Sequence, residues 1–210
     1  MEDKIINETE NLNTTEKEEL EFLEEWFLLK KYEFKLLTII TILSDNKRAF
    51  RGKLSDLCNE LSIQNSSKNK ETMRNSLSFL EKNNYIKVIV DNDIYTISLA
   101  RAAEKSKNII KIKKAWYEII RNADCEASWE SLLKVFLKVL ELSQDKIYTY
   151  EQIGELTNLS KTTVGRCVKA IKKLKFDDIL VEVEEIKTKN NKNEYRTKGQ
   201  TYTQVYDWSE

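Results

Sequence analysis

Residues 148–174, YTYEQIGELTNLSKTTVGRCVKAIKKL, decide the fold that we predict for this chain. The pattern indicates two helices joined by a tight turn. Thr149 can cap the first helix, and Gln152 three residues later completes a capping box. Ser160 is the N-cap candidate of the second helix. Both helix starts are therefore marked by local hydrogen-bonding residues.

Small and apolar residues in this stretch predict how the two helices pack. Gly154 is small enough for close packing, and Asn158 tolerates the left-handed conformation that a sharp turn needs. Val164 can fill the space between the helices. The second helix carries further apolar residues at helical spacing, namely Cys167, Val168, Ile171 and Leu174.

The spacing of Gly154, Asn158 and Val164 resembles the helix-turn-helix family, a DNA-binding motif whose second helix enters the major groove. The resemblance implies that polar residues at the front of the second helix face DNA. These residues are Ser160, Lys161, Thr162, Thr163, Arg166 and Lys169. The alternative is a helical hairpin within a core, with its lysines on the solvated side.

The elements predicted around this stretch repeat one order twice. Residues 32–43 and 49–52 indicate a helix and a short strand, and two further helices carry Leu54 to Leu61 and Met73 to Leu80. Two β-rich runs, residues 85–90 and 94–99, flank the turn signal Asp91-Asn92-Asp93. This order of helix, strand, helix, helix, strand and strand resembles the winged-helix fold.

The same order returns in the C-terminal part of the chain. A helix from Trp129 and a short strand at residues 147–149 precede the opening stretch. The strand pair is predicted at residues 179–186 and 201–206, separated by a long polar loop at residues 187–200. The predicted fold class is therefore mainly α with small β-hairpins (α+β), as two winged-helix domains.

Two segments outside the repeated order are predicted as helices. A capping box at Thr15 and Glu18 predicts an acidic N-terminal helix, which either packs on the next domain or serves as an acidic, partner-binding or DNA-mimicking arm. Residues 100–122 are predicted as a connecting helix whose apolar stripe packs on a domain or dimerises; the stripe is Ile109, Ile112, Trp116 and Ile119. The predicted boundaries are 1–29 (arm and helix), 30–99 (first domain), 100–126 (connecting helix) and 127–210 (second domain).

Composition limits the classes of function. Of the 210 residues 33% are charged, and no apolar run approaches the roughly 20 residues of a membrane span. The N-terminus does not resemble a signal peptide, so we expect a cytoplasmic protein without a membrane partner. The net charge is zero, but residues 1–29 hold ten acidic and two basic side chains, whereas residues 30–126 hold nineteen basic and twelve acidic ones.

The residues of most catalytic and metal sites are missing. The chain has no histidine, and Cys58, Cys125 and Cys167 are widely spaced, so we expect no metal ligand set and no histidine-dependent nucleophile. Four glycines cannot form a phosphate-binding loop. We therefore expect no enzyme, no cofactor and no small-molecule ligand.

Basic residues of the second domain are the candidate DNA contacts. Arg166 and Lys161 can bind guanine edges, and Lys172 and Lys173 suit the phosphate flank. The loop at residues 187–200 is interpreted as a wing that follows the DNA backbone or enters the minor groove; the alternative is a solvated loop without a function. Its basic residues are Lys187, Lys189, Lys192, Arg196 and Lys198.

The first domain has weaker signs of DNA binding. Basic residues lie near its third helix and its short strand, and they are Lys68, Lys70 and Arg74 together with Arg48, Arg51 and Lys53. Its turn between strands is short and acidic, which would repel phosphates. We expect either a second, weaker DNA contact or a dimerisation module, so a homodimer could form through this domain or the connecting helix.

Tandem winged helices resemble plasmid and phage replication initiators, and also bacterial transcription regulators. The resemblance covers residues 30–99 and 129–206 and includes the NEYR sequence at residues 193–196. It implies sequence-specific binding of double-stranded DNA for replication initiation, mobile-element maintenance or transcription regulation. The alternative is a winged-helix module that binds other proteins, with the acidic helix engaging a basic partner.

Overall fold

The chain folds into a mixed α and β structure, seen in a computed structural model that describes residues 19–44, 49–100, 108–144, 146–176, 179–189 and 195–206. In chain order the elements are β1 (Glu19–Leu23), a 3₁₀ helix (Glu24–Leu28), α1 (Lys31–Leu43), β2 (Ala49–Gly52), α2 (Leu54–Glu60), α3 (Ser67–Lys82), β3 (Ile86–Asp91), β4 (Ile94–Leu99), β5 (Ile109–Lys113), α4 (Lys114–Arg121), α5 (Trp129–Glu141), α6 (Tyr150–Thr157), α7 (Lys161–Ile171), β6 (Ile179–Lys189) and β7 (Tyr195–Tyr206). No helix in these ranges is long and apolar enough to cross a membrane.

The first half of the chain, residues 30–99, has the predicted order of elements. Helices α1, α2 and α3 accompany an antiparallel sheet of order β2-β4-β3. The β3–β4 hairpin closes through Asn92 and Asp93, whose φ angles of 47° and 66° are those of a turn that matches strand twist. Ser66 caps α3 by accepting a hydrogen bond from the Asn69 N–H at 3.2 Å.

The second half, residues 127–210, is built from α5, α6, α7 and the β6–β7 hairpin. The short strand predicted at residues 147–149 is reduced to one bridge between Tyr148 and Gln200. The prediction of a loop at residues 187–200 is wrong over most of that range, because β6 and β7 pair as far as Lys189 and Tyr195. Backbone pairing thus extends into a stretch whose polarity had indicated a loop; residues 190–194 lie outside the described ranges.

Both helices predicted outside the two halves are corrected by the structure. Glu19–Leu23 and Ile109–Lys113 are strands that pair antiparallel, with Leu20 opposite Ile112 and Phe22 opposite Ile110. These four apolar side chains are buried. A short 3₁₀ helix and the eight-residue α4 follow the two strands, so helix is present only after each pairing ends. The Thr15–Glu18 capping box lies outside the described ranges.

The apolar stripe of the predicted connecting helix is used within the chain. Ile112 is buried on β5, and Trp116 on α4 packs edge-on against Phe136 of α5, with ring centroids 6.1 Å apart. Ile119 is half-buried, while Ile109 remains exposed. The packing alternative therefore accounts for most of the stripe.

A buried lysine joins the N-terminal segment to the second half. Lys134 on α5 is 1% exposed, and its ammonium donates to the carbonyl oxygens of Phe27 (2.8 Å), Leu29 (2.5 Å) and Thr157 (3.2 Å). Burial lowers the pKa of Lys134 to about 8, against a smaller opposing effect of Glu33. All three ammonium protons are satisfied by backbone groups from two separate segments.

One continuous cluster of buried apolar side chains spans both halves. Helix α1 of the first half packs against α5 of the second. Lys35 of α1 reaches Glu130 of α5 at 3.7 Å, and its ammonium also donates to the Leu61 carbonyl at 2.9 Å. The two halves thus share a core, although each has its own hairpin.

Candidate nucleic-acid interface

The turn between α6 and α7 has the geometry that its residues predicted. The Thr149 hydroxyl accepts the Gln152 N–H at 3.2 Å, and the Gln152 side chain accepts the Thr149 N–H at 2.8 Å. Asn158 adopts φ 53° and ψ 45°, the left-handed region. A Cβ on Gly154 would lie 2.5 Å from the Leu159 carbonyl oxygen, so the close approach is to the backbone of the turn.

Helix α7 has one face in the core and one in solvent. Its buried residues are Val164, Cys167, Val168, Ala170 and Ile171. Burial raises the pKa of the Cys167 thiol to about 12, so this cysteine stays protonated near neutral pH. The packed face fixes which side chains α7 can present outward.

A basic stripe runs along the exposed face of α7 and just beyond its end. Thr162, Arg166, Lys169 and Lys173 follow one another at intervals of four, three and four residues, and all are exposed. Residues 160–176 contain six basic and no acidic side chains. Lys172, predicted for the phosphate flank, is also exposed. Positive charge is therefore concentrated on the solvated side of one helix.

Two of the predicted contact residues have a structural task at the start of α7. The Ser160 hydroxyl accepts the Thr163 N–H at 3.2 Å and lies 2.8 Å from the Thr163 hydroxyl. Ser160 is the N-cap, and Thr163 is half-buried. Lys161 and Thr162 remain exposed at the helix N-terminus, where backbone N–H groups favour an anion.

A cleft of about 530 Å³ lies beside the basic stripe. Residues 123–126, which follow α4, form one wall, and Arg166, Lys169 and Lys173 help to form the other. Glu126 Oε2 lies 3.5 Å from Arg166 Nε, and these side chains are 83% and 54% exposed. Such an exposed ion pair is weak and can be exchanged for another anion.

Sequence reasoning did not single out Glu126 or its neighbour Asp124. Glu126 lies forty positions before Arg166, in a connection without helical or strand periodicity. The packing of α4 on α5, and of α5 on α7, brings this acidic connection to the stripe. Lys161 has a similar exposed partner, Glu151, at 3.8 Å.

The β6–β7 hairpin is anchored next to the start of α6. The Gln200 side chain donates to the Tyr150 hydroxyl at 2.6 Å and accepts from the Tyr202 hydroxyl at 2.8 Å. Tyr202 is 1% exposed, and Tyr148 and Gln200 exchange two backbone hydrogen bonds of 2.8 Å. The hairpin is thereby fixed to the same unit as α7.

Charge changes sign along the hairpin. Glu182, Glu184 and Glu185 are exposed near its base, and Lys187 is exposed farther out. Lys189, Arg196 and Lys198 lie on the strands, but their side chains are outside the described ranges, as is the whole of Lys192. The basic residues of the predicted wing are therefore confined to the outer part of the hairpin.

In the first half the predicted basic residues lie at the start of α3. Lys68 and Arg74 are exposed, Lys70 is half-buried, and Arg74 Nε donates to the Tyr95 hydroxyl at 3.4 Å. Arg51 and Lys53 are exposed near β2, and Arg48 is outside the described ranges. Exposed apolar side chains also mark this half, namely Phe79, Ile89 and Val90.

Three acidic side chains of the N-terminal segment, those of Glu19, Glu21 and Glu24, make ion pairs within the chain. Glu21 lies 3.4 Å from Lys111, and Glu24 lies 2.6 Å from Lys138. The hydrogen bond from Lys138, with a second from Asn108, lowers the pKa of Glu24. Residues 19–28 therefore form a strand and a short 3₁₀ helix, and not the predicted acidic helix.

The basic stripe and the anchored hairpin belong to the second half, and the cleft lies between α7 of that half and the connection at residues 123–126. Comparison of the chain with models of known protein families found no match, and comparison with curated proteins found none either.

Proposed function

We propose that this protein binds double-stranded DNA in a sequence-specific manner through the winged helix-turn-helix unit of its second half, with α7 entering the major groove. One observation carries the proposal: an exposed stripe of Thr162, Arg166, Lys169 and Lys173 on a helix that follows a tight, capped turn. A major groove about 12 Å wide admits one helix, which must present side chains from a single face.

Phosphate contacts supply register and affinity in this proposal. The N-terminus of α7 offers backbone N–H groups and the exposed Lys161, and its far end offers the exposed Lys172 and Lys173. Cations at both ends of one helix can reach phosphates on both sides of a groove. Binding would release counterions and depend strongly on salt.

Base reading is assigned to the middle of the stripe. Arg166 is exposed, and among the described residues its ion-pair partner is the exposed carboxylate of Glu126. Its guanidinium can exchange that carboxylate for the O6 and N7 acceptors of guanine, in a bidentate arrangement. Thr162, one turn earlier, can contact a base edge or a thymine methyl group.

The β6–β7 hairpin acts as the wing. Its anchor at Tyr150 and Gln200 fixes it beside α7, and the exposed Lys187 belongs to its outer part. Exposed glutamates at the base would repel phosphates, so only the outer part is suited to follow the backbone. The wing then strengthens binding without choosing a sequence.

The biological process in which we propose this DNA binding acts is replication initiation of a plasmid or phage, maintenance of a mobile element, or regulation of transcription. Selection of bound duplexes from a random pool separates these roles. Iterated direct repeats would favour an initiator, and a palindrome would favour a dimeric regulator.

A salt titration tests DNA binding itself. The protein is titrated into a labelled duplex of about 30 base pairs at several salt concentrations. For six phosphate contacts we expect a slope of log affinity against log salt near about −5. A flat salt dependence, or no binding at low salt, would contradict the proposal.

A second candidate function is protein binding by the first half. It is favoured by Ile89 and Val90 on β3, which are each 54% exposed. Apolar side chains at the edge of a sheet suit another polypeptide better than a phosphate backbone.

A further inference from the structure

Strand β3 is an edge strand with an unusually apolar exterior. Within the residues that the structure describes, the sheet order is β2-β4-β3, so β3 is paired on one side only, by β4. Ile89 and Val90 point to opposite faces of the strand, and each is 54% exposed. Natural proteins usually protect such edges with charges, bulges or covering segments, because an open edge pairs readily with another strand.

The hairpin register shows which backbone groups face the open edge. Asp91 and Ile94 flank the two-residue turn, so Asp91, Ile89 and Lys87 direct their N–H and C=O groups towards β4. The backbone N–H and C=O groups of Val88 and Val90 therefore point away from β4, towards the open edge. The Val88 N–H is seen at this edge, because it donates to the side chain of Glu81 at 2.8 Å and not to β4.

We propose that β3 pairs antiparallel with β3 of a second copy of this chain, with Ile89 opposite Ile89 across a two-fold axis. In this register Val88 and Val90 of one copy exchange hydrogen bonds with Val90 and Val88 of the other, which uses the outward-facing groups. The two three-stranded sheets become one sheet of six strands.

Charge complementarity selects this register over its neighbours. Centring the axis on Ile89 places Lys87 of each copy directly opposite Asp91 of the other, on the same face as the Ile89 pair. Moving the axis to Val88 or Val90 also uses the outward-facing groups, but it places Lys87 or Asp91 opposite Ile89. The strand sequence Lys87-Val88-Ile89-Val90-Asp91 is thus complementary to itself when reversed.

Glu81 competes with the partner strand. Its carboxylate accepts the Val88 N–H in the single chain, and the side chain is exposed at the end of α3. Pairing requires this carboxylate to leave the edge, where a backbone carbonyl would replace it. We therefore expect Glu81→Ala to strengthen self-association by a few-fold.

The test uses two charge variants and their mixture. Lys87→Asp makes both facing positions negative, and Asp91→Lys makes both positive, so each variant alone should self-associate at least about tenfold more weakly than the unmodified chain. An equimolar mixture restores both attractive pairs and should recover the dimer. Sedimentation equilibrium without DNA reports the result, and Lys146→Asp, at an exposed residue before α6, is the matched control.

A cross-link tests the register independently of the charges. Opposite residues in a non-hydrogen-bonded pair have Cα atoms about 4.5 Å apart, close enough for a disulfide. With Cys125 replaced by serine, Ile89→Cys should form a covalent dimer on mild oxidation. Thr96→Cys, on β4 opposite Ile89, should not, because three strand spacings would separate the two copies.

Several outcomes would overturn the proposal. These are a monomeric chain at about 100 µM, a dimer unaffected by either charge variant, a mixture that fails to associate, and no covalent dimer from Ile89→Cys. A dimer that resists the charge variants would place the interface elsewhere, and binding of only a different protein at β3 would assign the edge to another partner. Because no DNA is present, these failures are separate from failure of DNA binding.

Discussion

Helices α3 and α7 hold the same place in the two halves but present different surfaces. Both are capped by a serine, Ser66 and Ser160, and both are followed by an antiparallel hairpin. Only the α6–α7 connection is tight, since α6 ends at Thr157 and α7 begins at Lys161, whereas Glu60 and Ser67 bound the α2–α3 connection. Similar element orders therefore do not imply similar binding.

The numbers of basic and acidic side chains also differ between these two segments. Residues 66–82 carry four basic and two acidic side chains, against six and none for residues 160–176. The first hairpin ends in an exposed acidic turn and has exposed Ile89 and Val90, whereas the second is long and basic in its outer part. On this contrast rests our proposal that the second half binds DNA and the first half binds a protein partner.

The largest expected effect tests the core that the two halves share. Lys134→Met leaves three buried carbonyl groups without their donor, and we expect a loss of about 3 kcal/mol or more in the free energy of unfolding. Chemical denaturation followed by tryptophan fluorescence measures it. Lys175→Met, at an exposed residue, is the control; a loss below about 1 kcal/mol for Lys134→Met would show that this lysine does not hold the halves together.

The second expected effect tests the contrast between α3 and α7. Replacing Arg166, Lys169 and Lys173 by alanine should weaken DNA binding about 100-fold and make the salt slope shallower by about 2, because two phosphate contacts are lost together with the base contact of Arg166.

The matched variant of α3 replaces Lys68, Lys70 and Arg74 by alanine. We expect less than about a threefold loss of DNA affinity, measured in the same titration. Equal losses for the two triple variants would remove the distinction between the halves.

A third prediction concerns the tight turn. Gly154→Ala brings a methyl group to the Leu159 backbone, and should cost about 1–3 kcal/mol of folding stability. Gly165→Ala provides the comparison, because its Cβ would meet the Tyr150 ring at 3.3 Å, a milder contact than the 2.5 Å at Gly154. Thermal unfolding should separate the variants; indistinguishable melting temperatures would show that the α6–α7 turn can relax.

A fourth prediction separates affinity from specificity. Replacing Lys187, Lys189, Lys192, Arg196 and Lys198 by serine should weaken binding to all duplexes alike, on the order of tenfold. Arg166→Ala should instead relax preference at one base pair. If the hairpin variant changed the preferred sequence, the wing would be reading bases.

A fifth prediction is a pH dependence of stability. The pKa of Lys134 is about 8 in the folded chain and near 10.5 when unfolded, so the unfolded chain binds more protons between these values. The stability of the unmodified protein should therefore rise, relative to Lys134→Met, as pH increases from about 8 to 10.5. Parallel stability curves for the two proteins would contradict the burial of this charge.

Local signals predicted the part of the fold around α6 and α7. Thr149, Gln152 and Ser160 bind partners three residues away, and Asn158 acts through its own left-handed backbone, so these roles can be derived from spacing alone; the hydrogen bond from the Asn158 side chain to the distant Leu28 carbonyl cannot. The exposed positions of α7 follow from the same helical period. The basic stripe was thus predictable once the buried residues were assigned.

Long-range pairing could not be predicted in the same way. Leu20, Leu23, Trp26 and Phe27 have spacing compatible with a helix, but the segment begins as β1 because β5 supplies its backbone partners. The cleft beside α7 depends equally on packing, since Glu126 reaches Arg166 only through the placement of α4 and α5. Lys134 was not singled out, because nothing local marks a buried lysine.

The most direct test of our proposal that the second half binds DNA, and the first half does not, is site-specific photo-cross-linking to DNA. Position 162 in α7 and position 68 in α3 are the second residues of their helices, and both are exposed. Each is changed to cysteine in a background with Cys125 replaced by serine, and then labelled with a photoreactive group. Our account predicts cross-links to bound duplex from position 162 and few from position 68; efficient cross-linking from position 68 without cross-linking from position 162 would contradict it.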